Sequence, residues 1–144
     1  MGCRIQSSYH DIIYNPEYLF KAAERTIAKA REIHQQAPYD AFAFRGSSGA
    51  AMAFPLSITL KIPCIYVRKP EEKSHGKPIE GPSNEINSYL IIDDFIEQGK
   101  TINAIREALA DLKCVGALLY GRTTLSLQHK HECFTKPIPL WGVT

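Results

Sequence analysis

The residues best placed to do chemistry lie in one stretch, Tyr-Leu-Ile-Ile-Asp-Asp-Phe-Ile-Glu-Gln-Gly-Lys-Thr-Ile-Asn-Ala over 89–104. Asp93 and Asp94 are adjacent carboxylates at the end of an apolar run, and such a pair can hold hydroxyl groups or a hard cation. Glu97, Gln98, Gly99, Lys100 and Thr101 then form a polar turn ahead of a helical pattern. A helix start offers unpaired N–H groups and the positive end of a dipole, so this turn is a candidate phosphate site. Three further clusters carry charged or reactive groups. They are Arg45-Gly46-Ser47-Ser48-Gly49, then Arg68 and Lys69 with Lys73 and His75, and finally His129, His131 and Cys133.

These groups need elements to position them. Asn15-Pro16-Glu17 is a helix start, with Asn as N-cap, Pro at the first helical position and an acid in the first turn. Leu19, Ala22, Ala23, Ile27, Ala30 and Ile33 recur at steps of three and four, which predicts an amphipathic helix to about His34 that Pro38 stops. Ala41 to Phe44 is apolar without alternation, as expected of a parallel strand covered on both faces. The Arg45–Gly49 cluster follows it directly, and by itself reads as a strand-to-helix turn with Ser as N-cap. Residues 50–60 continue as a helix pattern that Pro55 must kink or divide.

Cys64 to Val67 is the next strand, and a loop of about twenty residues rich in charge, Gly and Pro follows it. Tyr89 to Ile92 is a strand, Thr101 to Leu112 a helix, and Val115 to Tyr120 another buried strand. Strands alternating with helices predict one α/β domain over 1–144, a parallel sheet flanked by helices, with its core at about 16–122. His129, His131 and Cys133 would share a face of a strand and could ligate zinc, although no fourth ligand is evident and a solvated strand edge serves equally.

Composition narrows the function classes. Hydrophobic residues are 44% and charged residues 22%, ordinary for a soluble globular protein. Net charge is +2, from 17 basic and 15 acidic residues, with no dense basic run, so a general nucleic-acid binder is disfavoured and any anion site must be local. Cys3, Cys64, Cys114 and Cys133 form no Cys-x-x-Cys pair and read as free thiols of a reducing compartment. There is no basic-then-apolar leader and no apolar run near the ~20 residues of a membrane span, so a cytoplasmic protein away from the membrane is expected.

Gly99-Lys100-Thr101 would finish a nucleotide-triphosphate P-loop, but that motif needs a glycine where Asp94 stands. The stretch instead closely resembles the ribose-phosphate signature of type I phosphoribosyltransferases: four apolar residues, two acids, two apolar residues and a five-residue loop ending Gly-x-Thr. Arg45–Gly49 resembles the family's pyrophosphate loop. Arg68, Lys69, Lys73, His75 and Gly76 resemble the mobile loop of orotate phosphoribosyltransferases, with one extra residue between Lys69 and Lys73. Glu97-Gln98-Gly99-Lys100-Thr101 resembles the Asp-Thr-Gly-Lys-Thr loop of hypoxanthine-guanine phosphoribosyltransferases.

The resemblance implies transfer of ribose 5-phosphate from phosphoribosyl pyrophosphate to a ring nitrogen of a nucleobase, with Mg²⁺ as cofactor. Asp93 and Asp94 would fix the ribose hydroxyls and the metal, directly or through water; their plain alternative is a strand end with Asp as a helix N-cap. Residues 97–101 would cradle the 5-phosphate, while Arg45, Gly46, Ser47, Ser48, Gly49, Arg68, Lys69, Lys73 and His75 would grip pyrophosphate. A carboxylate aimed at a phosphate costs about 4 kcal/mol at ~4 Å under an effective dielectric of ~20. Glu97 must therefore point elsewhere, as a general base on a 6-oxopurine or as an acid favoured by the helix dipole. A segment at 123–144 would form a small hood with Trp141 stacked on the base and Arg122 near its exocyclic oxygen; Trp141 could equally be core. The mobile loop implies a homodimer. Orotate is the alternative acceptor, and a non-catalytic regulator that senses the phosphoribosyl ligand is the rival class.

Overall fold

The computed structural model describes residues 2–5, 12–72, 76–96, 98–122, 127 and 136–143. The first helix, α1 (Pro16–Gln36), begins as its sequence requires: the Asn15 side chain accepts the Glu17 N–H at 3.2 Å and Pro16 occupies the first turn. Then come β1 (Ala41–Phe44), α2 (Gly46–Leu60), β2 (Cys64–Val67), β3 (Ile79–Glu80), β4 (Ser88–Asp93), α3 (Lys100–Ala108), β5 (Lys113–Leu119) and β6 (Leu140–Gly142). They build one sheet in the order β3-β2-β1-β4-β5-β6.

Five of the strands run parallel, and β3 pairs antiparallel with β2 through Tyr66↔Glu80 and Val67↔Ile79. The parallel sheet expected from sequence is the observed one, with a two-residue antiparallel strand added at one edge, where the chain turns back after β2. A correction falls at the other edge. Residues 140–142, expected in a hood, pair with β5 through Leu118↔Trp141 and extend the sheet. Residues 123–126 and 128–135, with the His129, His131 and Cys133 cluster, lie outside the described residues.

Each face of the sheet carries its own core. On one face Ala30 and Ile33 of α1 and Met52 and Leu56 of α2 pack on Phe42, Leu90 and Leu118. On the other, Ile102 and Ile105 of α3 pack on Ile91, Ala117 and Leu119. Burying each such side chain contributes about 1.5–3 kcal/mol. Strand β4 is covered on both sides, which is why Tyr89–Asp93 reads as a continuous apolar run ended by acids. Pro55 does not divide α2, which runs unbroken from Gly46 to Leu60. Cys64 and Cys114 are half-buried free thiols, and Cys3 is exposed. Among the described residues no helix is long and apolar enough to cross a membrane.

Candidate active site

The order of the sheet reverses at β1. The chain leaves β1 through α2 to β2 on one side, and β4 then pairs on the other. A crevice opens at such a reversal, beyond the carboxyl ends of the two central strands, and ligands of open α/β sheets bind there. Here it is a cavity of about 330 Å³ lined by residues 45–48, 69, 93–96 and 98–102.

Two helices start at this cavity. Arg45 is the extended N-cap of α2, and Gly46 follows at φ +83° in the left-handed region open to glycine. Gly46, Ser47, Ser48 and Gly49, expected as a loop, are instead the first turn of α2. Gly49 makes that possible, because a Cβ there would lie 2.8 Å from Phe44 Cβ and 3.0 Å from the Ile92 carbonyl oxygen. Gly99, at φ +77°, is the N-cap of α3. Neither Arg45 nor Gly99 caps its helix with a side chain, so the first-turn N–H groups of both helices meet one cavity with their positive dipole ends.

The acid pair stands between them. Asp93 and Asp94 are 7% and 6% exposed. Asp93 Oδ1 accepts the Asp94 N–H at 2.9 Å, and Asp94 Oδ1 accepts the Phe95 N–H at 2.8 Å. The backbone is fixed from β5, since Tyr120 N–H donates to the Asp93 carbonyl at 3.1 Å and Gly121 N–H to that of Asp94 at 2.8 Å. Desolvation, reinforced by the neighbouring Asp94 charge, pushes the Asp93 carboxyl up to about 8, and Lys69 opposes the shift. Lys69 also reaches the start of α2, where a Cβ on Gly46 would lie 3.7 Å from its Nζ. The Nε of Arg45 is buried without a hydrogen-bond partner among the described residues, an arrangement that costs about 1–3 kcal/mol until an acceptor arrives.

The structure therefore brings together Arg45, Gly46, Ser47, Ser48, Lys69, Asp93, Asp94, Gln98, Gly99, Lys100 and Thr101 from three separate segments. Three expected site residues, Lys73, His75 and Glu97, lie outside the described residues. Arg68 is turned to other work. Its guanidinium pairs with Glu80 at 2.8 Å, donates from Nε to the Lys77 carbonyl at 3.1 Å and lies 4.9 Å from the centroid of the Tyr66 ring. With Arg45 and Lys69 it lines a neighbouring cavity of about 540 Å³. Arg122 stands behind the site, its guanidinium 5.5 Å from the centroid of Phe95, a cavity-lining ring that sequence reasoning missed.

Trp141 does not line the cavity. It is half-buried on β6 with its indole against Gly116, among the side chains on the α1 and α2 face. That contact fits the reading of Trp141 as a packing residue. Tyr120 was also missed, although its place at the end of a buried run that precedes a polar turn is the signal that marks Asp93.

Two carboxylates suit a cation that keeps water and takes substrate oxygens as its other ligands, as Mg²⁺ does. Among the described residues no group of three or more His, Cys, Asp or Glu gathers to form a closed cage.

No family model matches the sequence. Among curated proteins the chain is similar to orotate phosphoribosyltransferase of Listeria monocytogenes, 30% identical over 106 residues, covering 70% of this chain and 51% of that protein. The chain spans about half the length of the curated relatives it matches. Among solved structures it superposes on orotate phosphoribosyltransferase from Aeropyrum pernix at TM-score 0.57 and 23% identity, covering 75% of this chain and 61% of that one. It superposes on adenine phosphoribosyltransferase from Saccharomyces cerevisiae at TM-score 0.65 and 20% identity, covering 90% and 81%. The fold is that of the type I phosphoribosyltransferases.

Proposed function

We propose that this chain, which belongs to the type I phosphoribosyltransferase family, transfers ribose 5-phosphate from phosphoribosyl pyrophosphate to a nucleobase and releases pyrophosphate. One observation carries the reading: two uncapped helix starts, a buried acid pair and Lys69 converge on a single cavity. A ligand with an anion at each end and hydroxyls between them matches that arrangement. The 5-phosphate belongs at Gln98, Gly99, Lys100 and Thr101, the ribose hydroxyls at Asp93 and Asp94, and the pyrophosphate at the first turn of α2 with Arg45 and Lys69.

The C1–O bond breaks toward an oxocarbenium-like centre, so catalysis consists of stabilising the departing pyrophosphate and holding the base in line. Asp93 and Asp94 would hold Mg²⁺, which would supply charge stabilisation for the departing pyrophosphate. Lys69 and the Arg45 guanidinium meet the same developing charge, and Lys73 and His75 would join them from the second copy of the homodimer we propose. The acid pair holds the sugar so that C1 faces the base.

The acceptor we propose is a 6-oxopurine, with Glu97 taking the N7 proton; orotate is the second reading, supported by the names of the curated relatives. Mixing the protein with phosphoribosyl pyrophosphate, Mg²⁺ and each free base in turn separates the two. Glu97→Gln should slow turnover of hypoxanthine or guanine by roughly 10²–10⁴. Turnover of orotate alone would leave the transfer reading intact and remove the purine. Wild-type calorimetry without Mg²⁺-dependent binding of phosphoribosyl pyrophosphate at millimolar ligand would sink the function altogether, whereas tight binding without turnover of any base would favour the sensing regulator.

A further inference from the structure

We infer that the Tyr120 hydroxyl is a positioning group for the pyrophosphate end of the site, holding the first turn of α2 at a fixed distance from the acid pair. The inference rests on the phosphoribosyl reading above. Tyr120 follows directly after β5, and β4 separates β5 from β1 in the sheet. Its side chain spans that gap, and the hydroxyl donates to the Ser48 carbonyl at 2.6 Å, 72 residues away in sequence. Its own N–H donates to the Asp93 carbonyl at 3.1 Å. One residue thus bonds to the backbone of both halves of the cavity.

The bond falls on the turn that matters. Ser48 and Gly49 share a peptide plane, and in a regular α-helix the Gly49 N–H closes the first intrahelical bond onto the Arg45 carbonyl. Holding the Ser48 carbonyl therefore holds the ring that aims the N–H groups of Gly46, Ser47 and Ser48 into the cavity. The turn is poor in intrinsic helix preference, since Gly-Ser-Ser-Gly favours other conformations, so an external tether sets its geometry. Tyr120 is 3% exposed and does not line the cavity, so it acts through Ser48.

Tyr120→Phe removes only the hydroxyl, and the Ser48 carbonyl keeps its intrahelical partner, so the fold should survive. The probe is Mg²⁺ with inorganic pyrophosphate, measured by calorimetry beside steady-state kinetics. We expect Kd for pyrophosphate and KM for phosphoribosyl pyrophosphate to rise at least fivefold, with KM for the base unchanged and the larger loss in KM rather than in kcat. The Gly49 amide should exchange with solvent at least tenfold faster, while amides of β4 and β5 keep their rates. Tyr120→4-fluorophenylalanine, which fills the same volume and cannot donate, should behave alike and stands in if the Phe variant does not fold. Wild type that binds pyrophosphate while the folded variants bind it within twofold overturns this inference alone. Wild type that binds neither pyrophosphate nor phosphoribosyl pyrophosphate overturns the transfer reading and this inference with it.

Discussion

Gly121 presses on Asp94: its N–H donates to the Asp94 carbonyl at 2.8 Å, and a Cβ at position 121 would lie 2.7 Å from that same oxygen. The turn after β5 thus sets the backbone of the acid pair, and only a residue without a side chain can come so close. Gly121→Ala must push Asp94 away or open the turn, at a cost of about 1–3 kcal/mol. Thermal unfolding should show that loss, and calorimetry should show Mg²⁺-dependent binding of phosphoribosyl pyrophosphate weakened at least tenfold. Wild-type affinity in the variant would mean that the acid pair tolerates displacement.

Asp93 gives a pH dependence whose sign can be worked out. Burial and the neighbouring Asp94 push its carboxyl to about 8 in the folded chain, against about 3.9 unfolded. The folded state then holds the extra proton between those values, so this contribution to stability is complete below about pH 4 and falls away as pH rises toward 8. Asp93→Asn removes the titration and the like-charge repulsion together. In denaturant titrations without Mg²⁺, wild type should lose stability relative to Asp93→Asn between pH 5 and pH 8.5, and the variant should no longer bind phosphoribosyl pyrophosphate. A constant difference between the two across that range would refute the assignment.

What the sequence disclosed follows from the same physics. Helix α1 and strands β1, β2, β4 and β5 were legible because each is buried on a face that demands an apolar pattern, and Asn15-Pro16 marks one start. The acid pair and the Gly99–Thr101 turn were legible because polar residues break so sharply from a buried run. Strand β3 was not, since Ile79 and Glu80 are both exposed and owe their pairing to the return of the chain along β2. Strand β6 is three residues long and follows a proline-rich stretch that reads as loop. The first turn of α2 looked like a loop from composition, and became helix because Gly49 fits against Ile92 and Tyr120 holds Ser48.

Neighbouring cations have diverged in role. Lys69 lines the cavity, whereas Arg68 braces β2 against the chain at 77–80 through Glu80 and the Lys77 carbonyl. Lys69→Ala should raise KM for phosphoribosyl pyrophosphate at least fivefold with little change in melting temperature. Arg68→Ala should reverse that order, lowering stability by about 1 kcal/mol and releasing β3. Lys73→Ala should lower kcat at least tenfold while ligand affinity stays within a few-fold if, as proposed, its charge engages pyrophosphate as that group departs. Equal kcat and KM for all three variants and wild type would remove the loop from the mechanism.

Trp141 separates packing from recognition. Its indole lies against Gly116, where the backbone sits at φ +148° and a Cβ would lie 2.5 Å from the Pro139 carbonyl oxygen. The pair forms a knob and its socket between β5 and β6, so the ring supports the edge of the sheet. Trp141→Ala should leave a gap there and cost about 2–4 kcal/mol, somewhat below a full core truncation because the ring is only half-buried. KM for the nucleobase should stay within twofold. A stacked base would produce the opposite pattern, a rise of tenfold or more in that one KM with an unchanged melting temperature, and that result would return Trp141 to the acceptor site. Gly116→Ala offers the matching control, since it disturbs the same contact from β5 and should lower stability without touching the kinetics of either substrate.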